Sequence, residues 1–421
     1  MDRTSPDAKG TERIHPDRTI LHCDCNAFFA SVECLFRPEL KNVPMAVCGD
    51  PESRRGVILA KNEPAKKFGV RTAETIWQAR EKCPGLILTA PRFSEYRRFC
   101  RIINQIYLRY TDRVEPFSID ESWLDVTGSR ALFGEGEKIA DELRRVIRQE
   151  TGLTVSVGVS FNKVFAKMGS DYKKPDATTV IRRENWRGFL FPMPVETLLF
   201  CGRKSAELLA GMGIRTIGDL ACCNRSFVVS RLGKIGGQLH DYANGRDNSP
   251  VLRFGETREL KSVGNSITFR RDLVGMEDIR RGVGALADSV ASRLRKQGVC
   301  CRVVQVGIKN PSLKSISRQK TLSCPTHLAK DLSEAALELI GACWNPNAPI
   351  RLLSLTGTSL VPADAAGEQL SFFGGEPGGR ERQEKLETAL DGIRERFGKS
   401  SVSSAGLLND DIGAGGIRPK S

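Results

Sequence analysis

Three carboxylates stand where they could do chemistry. Asp120 and Glu121 are adjacent, flanked by the half-apolar runs VEPFSI and SWLDV between Val114 and Val126, and Asp24 sits near the end of the apolar run TILHCDCN that begins at Thr19. The alternation of the two flanking runs predicts short antiparallel strands with the acidic pair at or beside their turn. Adjacent carboxylates at a strand end repel each other. A divalent cation is the commonest device that makes such a pair useful, because Mg²⁺ seeks hard oxygen ligands and usually takes one or two carboxylates plus substrate phosphates. A solvated Asp-Glu turn is the better reading of the pair while it is taken alone. Asp24, with the helical pattern FFASVECLF directly after it, is what argues for a site.

The elements around these residues have to bring them together. Asn26 is a fitting N-cap for the helix after Asp24. Strand-like MAVCG and GVILA are joined by the charged turn PESRR, and a small helical layer follows through NEPAKKF and AETIWQARE. Strand LILTA then precedes an amphipathic helix from about Phe93 to Tyr110. The acidic hairpin, a helix from about Gly136 to Glu150 and strand TVSVGVS come next. This order reads as βαββαβ with an inserted lobe after the first strand, a ferredoxin-like sheet, which sets Asp24 beside Asp120 and Glu121. Within LLFCGRKSAELLAGMGIRTIGDL, Gly202 sits in the turn of a helix-hairpin-helix pattern, Gly213 ends its second helix, and Thr216 to Asp219 can form a capping box. Backbone amides at such a hairpin, here around Gly202 and Arg203, bind phosphate without reading sequence. An ordinary helical turn is the alternative.

Composition narrows the partners. The 421 residues fit several domains, and 64 Lys and Arg against 50 Asp and Glu give a formal charge of +14, which points to a polyanion, nucleic acid before an anionic membrane surface. Between Arg258 and Lys320 there are 14 Lys or Arg and 5 Asp or Glu, and the alternating strands KSVGNSITF and CCRVVQVGIK fit a DNA-facing sheet, with a solvated basic surface as the alternative. No apolar run approaches the length of a membrane span and no signal-peptide core opens the chain, which disfavours membrane and secretion. Thirteen scattered cysteines, no CxxC and four His read as reduced thiols in a cytosol, without a zinc site. The first eighteen residues and the glycine-rich end are polar and read as disordered.

Four stretches carry a resemblance: DCNAFFASVE from Asp24, KNEPAKKFGV from Lys61, SIDESWLDV from Ser118 and SVGVSFNKVFAKMGSDYKKP from Ser156. Together the chain resembles the Y-family of translesion DNA polymerases, of the bacterial DinB or polymerase IV type, from about residue 19 to residue 373. The resemblance implies an α+β multidomain chain: a ferredoxin-like βαββαβ palm at 19–27 and 91–181, small inserted fingers at 28–90, a helical thumb with the helix-hairpin-helix at 182–250, a linker at 251–258, a separate α/β little finger at 259–365 and a tail at 366–421. It also implies two Mg²⁺ ions, bridged by Asp24 and Asp120, with Glu121 serving the primer-end metal and the carbonyl of Cys25 completing the nucleotide-side metal. Asn26, where many relatives carry a second Asp, is read as structural. Phe29 matches the steric gate against a 2′ hydroxyl; Phe28 is either a core aromatic or the next candidate for that gate. Lys66 and Lys174 match basic positions that hold the triphosphate.

Departures from the family pattern are visible. Glu63 stands where Tyr is frequent, Lys66 where Arg is frequent, and Phe200-Cys201 replaces the usual Pro-Gly before the hairpin. Gln369, Leu370, Phe372 and Phe373 resemble the bacterial sliding-clamp peptide, followed by a charged helical run, RERQEKLETALDGIRERF. The expected partners are therefore primer-template DNA, deoxynucleoside triphosphates and a sliding clamp, for a monomer in the bacterial cytoplasm at the nucleoid. About sixty residues of fingers make a poor lid for checking base-pair shape, and no second carboxylate cluster resembles a proofreading exonuclease, so low fidelity is expected. Two rivals are a catalytically inactive, clamp-bound scaffold and a helix-hairpin-helix lyase or nuclease; the acidic triad argues against the first, and the SIDES hairpin with Lys66 and Lys174 against the second.

Overall fold

A computed structural model describes residues 18–51, 56–256, 259–365, 379–398, 401–403 and 410–415. They fall into two compact units that divide near residue 257. The first contains β1 (Ile20–Cys25), α1 (Phe28–Phe36), β2 (Met45–Cys48), β3 (Ile58–Lys61), α2 (Glu63–Lys67), α3 (Ile76–Lys82), β4 (Ile87–Thr89), α4 (Phe93–Tyr107), β5 (Val114–Pro116), β6 (Glu121–Asp125), α5 (Arg130–Phe133), α6 (Gly136–Thr151), β7 (Val155–Ser160), α7 (Lys163–Tyr172), β8 (Thr178–Val180), α8 (Trp186–Leu190), α9 (Arg203–Gly211), α10 (Ile217–Cys222) and α11 (Arg225–Ala243). The second contains β9 (Ser262–Leu273), α12 (Met276–Lys296), β10 (Val299–Lys309), β11 (Ser315–Thr326), α13 (Ala329–Cys343), β12 (Ile350–Pro362) and α14 (Gly379–Phe397).

The central sheet has the order β5-β6-β1-β7-β8. Its first four strands, with α4 and α6 as crossovers, are the βαββαβ arrangement expected, to which α7 and a parallel β8 are added. Helices α4 and α6 lay apolar faces on this sheet, where Tyr96, Ile103, Ile106, Ile139, Leu143 and Ile147 join Leu21, Leu124 and Val157 in one core. The inserted lobe is a separate sheet, β3-β2-β4, whose small core includes Ala46, Ile58, Ala65 and Ile76. Helices α8 to α11 gather around Phe165, Trp186, Leu209, Ile217 and Leu239. The capping box at Thr216 and Asp219 forms as the spacing predicts.

Two local readings change. Asn26 does not cap α1: Ala27, in the left-handed region at φ 46°, takes that place without a side-chain bond. The Asn26 amide is used sideways, donating to Thr154 Oγ1 at 3.1 Å and accepting from Ser156 Oγ at 2.8 Å, so it ties β1 to β7. The stretch before Gly202 is a single 3₁₀ turn, Val195–Thr197, rather than a helix. There the left-handed residue is Phe200, at φ 67°; Gly202 is the N-cap of α9 with an ordinary φ of −71°.

The second unit is a four-stranded antiparallel sheet, β11-β10-β12-β9, with α12 and α13 packed on it through Phe269, Leu286, Val290, Leu332 and Ile340. The charged run expected to be helical is α14, and it docks on this unit. Glu387 is buried, paired with Arg295, and accepts the Ala329 amide; Asp391 receives Arg295 Nε at 2.7 Å. The glycine-rich end, expected to lack structure, places the wholly buried Ile412 in the same core. Its carbonyl accepts the amide of Arg270 at 2.9 Å, and Asp411 accepts from Arg271 at 2.5 Å. Gln369, Leu370, Phe372 and Phe373 lie outside the described residues.

Candidate active site

Strand β1 is buried along its whole length and lies between β6 and β7. The antiparallel register pairs Asp24 with Glu121 across β1 and β6, and the Cys25 amide donates to the Asp120 carbonyl at 3.0 Å. The three acidic residues singled out from sequence therefore share one edge of the sheet. Burial pushes the Cys25 thiol well above its usual range, which leaves the backbone carbonyl as the donor atom this residue offers.

Helix α7 brings positive charge to that edge. Its approach is close because Gly158 on β7 leaves no side chain in the way: a Cβ there would collide with the carbonyl of Ala166 and the amide of Ser170. Lys174 Nζ donates to Asp24 Oδ2 at 2.7 Å and also meets Asp171 at 2.7 Å. Lys167 Nζ lies 3.1 Å from Asp24 Oδ2 and 3.0 Å from Glu121 Oε1. Burial works against the charged Lys167 ammonium, but Asp24, Asp171 and Glu121 outweigh it and push its pKa up. Asp120 has no such partner: its carboxylate accepts the Ser118 hydroxyl at 2.6 Å. Burial, then the neighbouring Asp24 and Glu121, raise its pKa above the ordinary 3.8.

His22 lies beneath the cluster. Its Nδ1 is 2.8 Å from Ser170 Oγ, and Nε2 stands 3.6 Å from Glu121 Oε2 without a hydrogen-bond partner. Burial, followed by Lys167, lowers its pKa to about 3, so the ring is neutral. Four carboxylates, from Asp24, Asp120, Glu121 and Asp171, thus face two ammonium groups, from Lys167 and Lys174. The excess is two negative charges on hard oxygen atoms, a donor set that fits Mg²⁺. Among the described residues no three such side chains already converge on one point, because Asp24 and Glu121 are turned to lysines and Asp120 to Ser118.

Around this edge, Phe28 is buried and Phe29 is half-buried. The Phe29 ring stacks on Tyr96 with centroids 4.2 Å apart and planes at 11°, and meets Phe93 edge-on at 6.0 Å. Tyr96 is anchored by its hydroxyl on the buried Glu33 at 2.6 Å, which Arg92 also grips. Lys66 stands on the exposed face of α2, where its ammonium lies 3.3 Å from Glu63. Arg203 points into solvent beside Glu207. Sequence reasoning missed Lys167, although Lys163, Lys167, Asp171 and Lys174 recur at spacings of four, four and three, one face of a helix.

Comparison with known proteins agrees with the fold and the motifs. Residues 23–171 match the impB/mucB/samB family, and residues 260–372 match the C-terminal domain of that family. A Y-family DNA polymerase chimera of known structure superposes with a TM-score of 0.72 at 24% identity, covering 82% of this chain and 99% of that one. The chain belongs to the impB/mucB/samB family, the Y-family DNA polymerases. A DNA polymerase IV of Acetivibrio thermocellus is 47% identical over 393 residues, which cover 93% of this chain and 98% of that protein. DNA polymerase IV 1 of Bacillus subtilis is 35% identical over 398 residues, covering 94% of each. Among the described residues no helix is long and apolar enough to cross a membrane.

Proposed function

We propose that this Y-family polymerase adds deoxynucleotides to a primer terminus during translesion synthesis, with two divalent cations held at the β1–β6 edge and without proofreading. The observation that carries the reading is the pairing of Asp24 with Glu121 beside the half-buried carboxylate of Asp120, which no lysine or arginine pairs with among the described residues. When bound, such a pair of ions activates a primer hydroxyl and neutralises the triphosphate and departing pyrophosphate. Asp24, Asp120, Glu121 and the Cys25 carbonyl would hold the ions, Glu121 toward the primer end and Cys25 toward the nucleotide end. Lys174 and Lys66 hold the triphosphate as point charges. Phe29 closes the space under the sugar, and its support by Tyr96 and Glu33 keeps the ring from yielding.

In this reading the central sheet is the palm, the β3-β2-β4 lobe the fingers, helices α8 to α11 the thumb, and the second unit the little finger on the duplex backbone. Gly202 and Arg203 present backbone and charge to a phosphate, and residues 369–373 bind a sliding clamp at the bacterial nucleoid. The enzyme acts as a monomer. Replacing Asp120 or Glu121 by Ala should remove nucleotide addition with Mg²⁺ and leave duplex affinity within a few fold, because affinity resides in phosphate contacts elsewhere. Extension and DNA binding measured on one preparation test this; robust extension by both variants refutes the assignment.

A further inference from the structure

Lys167 is neither one of the proposed metal ligands nor one of the proposed triphosphate contacts, yet it is the cation that ties the acidic edge together. Its Nζ lies 3.1 Å from Asp24 Oδ2, 3.0 Å from Glu121 Oε1 and 3.2 Å from Asp171 Oδ2. An ammonium has three N–H donors, and here Asp24 and Glu121 accept two of them while Asp171 lies within ion-pair range. The side chain is only 13% exposed, so water does little to weaken these contacts. Its backbone is fixed as well: the Lys167 carbonyl accepts the Ser170 hydroxyl at 2.8 Å, and that hydroxyl is 2.8 Å from His22 Nδ1. His22 turns an Nε2 without a hydrogen-bond partner toward Glu121, 3.6 Å away. The histidine therefore makes no hydrogen bond to Glu121, and the lysine does, at 3.0 Å.

We propose that Lys167 is a resident counter-ion: without a divalent cation its ammonium holds Asp24 and Glu121 in place, and it competes with the incoming cation for the same oxygen atoms. The inference rests on reading these carboxylates as metal ligands. It makes Lys167 a positioning residue with a consequence for order of assembly. The free enzyme holds metal weakly, and loading becomes favourable once a triphosphate adds its own oxygen ligands. Asp171, one turn further along α7 and half exposed, gives the displaced ammonium a place to go.

The probe is Mn²⁺ alone, titrated into the full-length protein without DNA or nucleotide and counted by electron paramagnetic resonance. K167M and K167Q should bind the ion at least tenfold more tightly than the native chain, whereas K167R, which keeps the charge, should stay weak. Loss of stability of K167M in EDTA, restored by Mn²⁺, would support the same role. Unchanged or weaker binding by folded K167M and K167Q, or tight binding by K167R, overturns it. Failure of the underlying reading looks different. If the native ternary complex with primer-template and deoxynucleotide keeps its Mn²⁺ after D24N or D120N, the carboxylates are not the ligands. If those variants lose the ion while K167M gains nothing, the counter-ion role alone falls.

Discussion

Truncating Phe29 to Ala should separate selectivity from stability. The ring is half-buried, stacked on Tyr96 at 4.2 Å, edge-on to Phe93 at 6.0 Å and tilted against Phe28 at 5.8 Å, so the change removes three aromatic pairings worth about 0.5–1.5 kcal/mol each. A stability loss of about 1.5–4.5 kcal/mol follows from that range. Excluding one group from a fitted pocket is worth about 1–3 kcal/mol of discrimination. At about 1.4 kcal/mol per factor of ten, this corresponds to roughly 5- to 150-fold. The assay is single-nucleotide insertion opposite an undamaged base, with kcat/KM measured for matched ribo- and deoxynucleotides. The ratio should shift toward ribonucleotides by at least about tenfold. Phe28→Ala is the control. That ring is 2% exposed, so its loss should cost about 3–5 kcal/mol of stability and leave sugar preference where it was. An unchanged ratio in Phe29→Ala, or a shift in Phe28→Ala, would refute the assignment of the gate to Phe29.

Further outcomes are open to measurement. The folded-state pKa of Asp120 is raised above 3.8, so the folded protein binds the extra proton. Metal-free stability should therefore fall as pH rises from near 3.8 through the folded pKa and stay lower at neutral pH. Asp120→Asn should remove that component and melt higher than the native chain in EDTA at pH 7; a lower melting temperature would contradict it. Replacing Leu370, Phe372 and Phe373 by Ala should abolish stimulation by a loaded clamp and leave distributive synthesis intact, since buried aromatic anchors carry about 2 kcal/mol or more each. Clamp stimulation that survives a lowered melting temperature would make the segment part of the fold instead. Glu387→Ala takes from the mostly buried Arg295 guanidinium one of its two carboxylate partners and leaves Asp391, and a loss of about 1.5–3 kcal/mol is expected in urea denaturation.

Much of the site could be read before the fold was in hand. The alternation around Asp120-Glu121 and the apolar run ending near Asp24 demand neighbouring strands once the βαββαβ order is recognised, and the register pairs Asp24 with Glu121. Asn26 was harder, because an Asn one residue before a helix satisfies the capping rule, while the partners it uses, Thr154 and Ser156, lie far along the chain. At the hairpin, glycine attracts a turn assignment, yet Phe200 takes the left-handed conformation. Lys167 escaped attention because a lysine on a helix is ordinarily solvated; its meaning depends on how near α7 comes to β1, which Gly158 permits and composition does not reveal. The glycine-rich end misled in the opposite direction, since its few apolar residues, Ile412 among them, are spaced by glycines without a period to read.

That isoleucine has a consequence for how the second unit is made. Ile412 is fully buried in a core whose strands end at Pro362, and Asp411 reaches back 140 residues to Arg271. All four strands can thus be synthesised and paired while the core still has an open side. During synthesis the half-built unit exposes an apolar gap, with the amide of Arg270 at its edge, until the last segment arrives to seal it. A chain cut between residues 398 and 410 would keep its sheet and α14 but never seal, and would be a substrate for proteases and for aggregation.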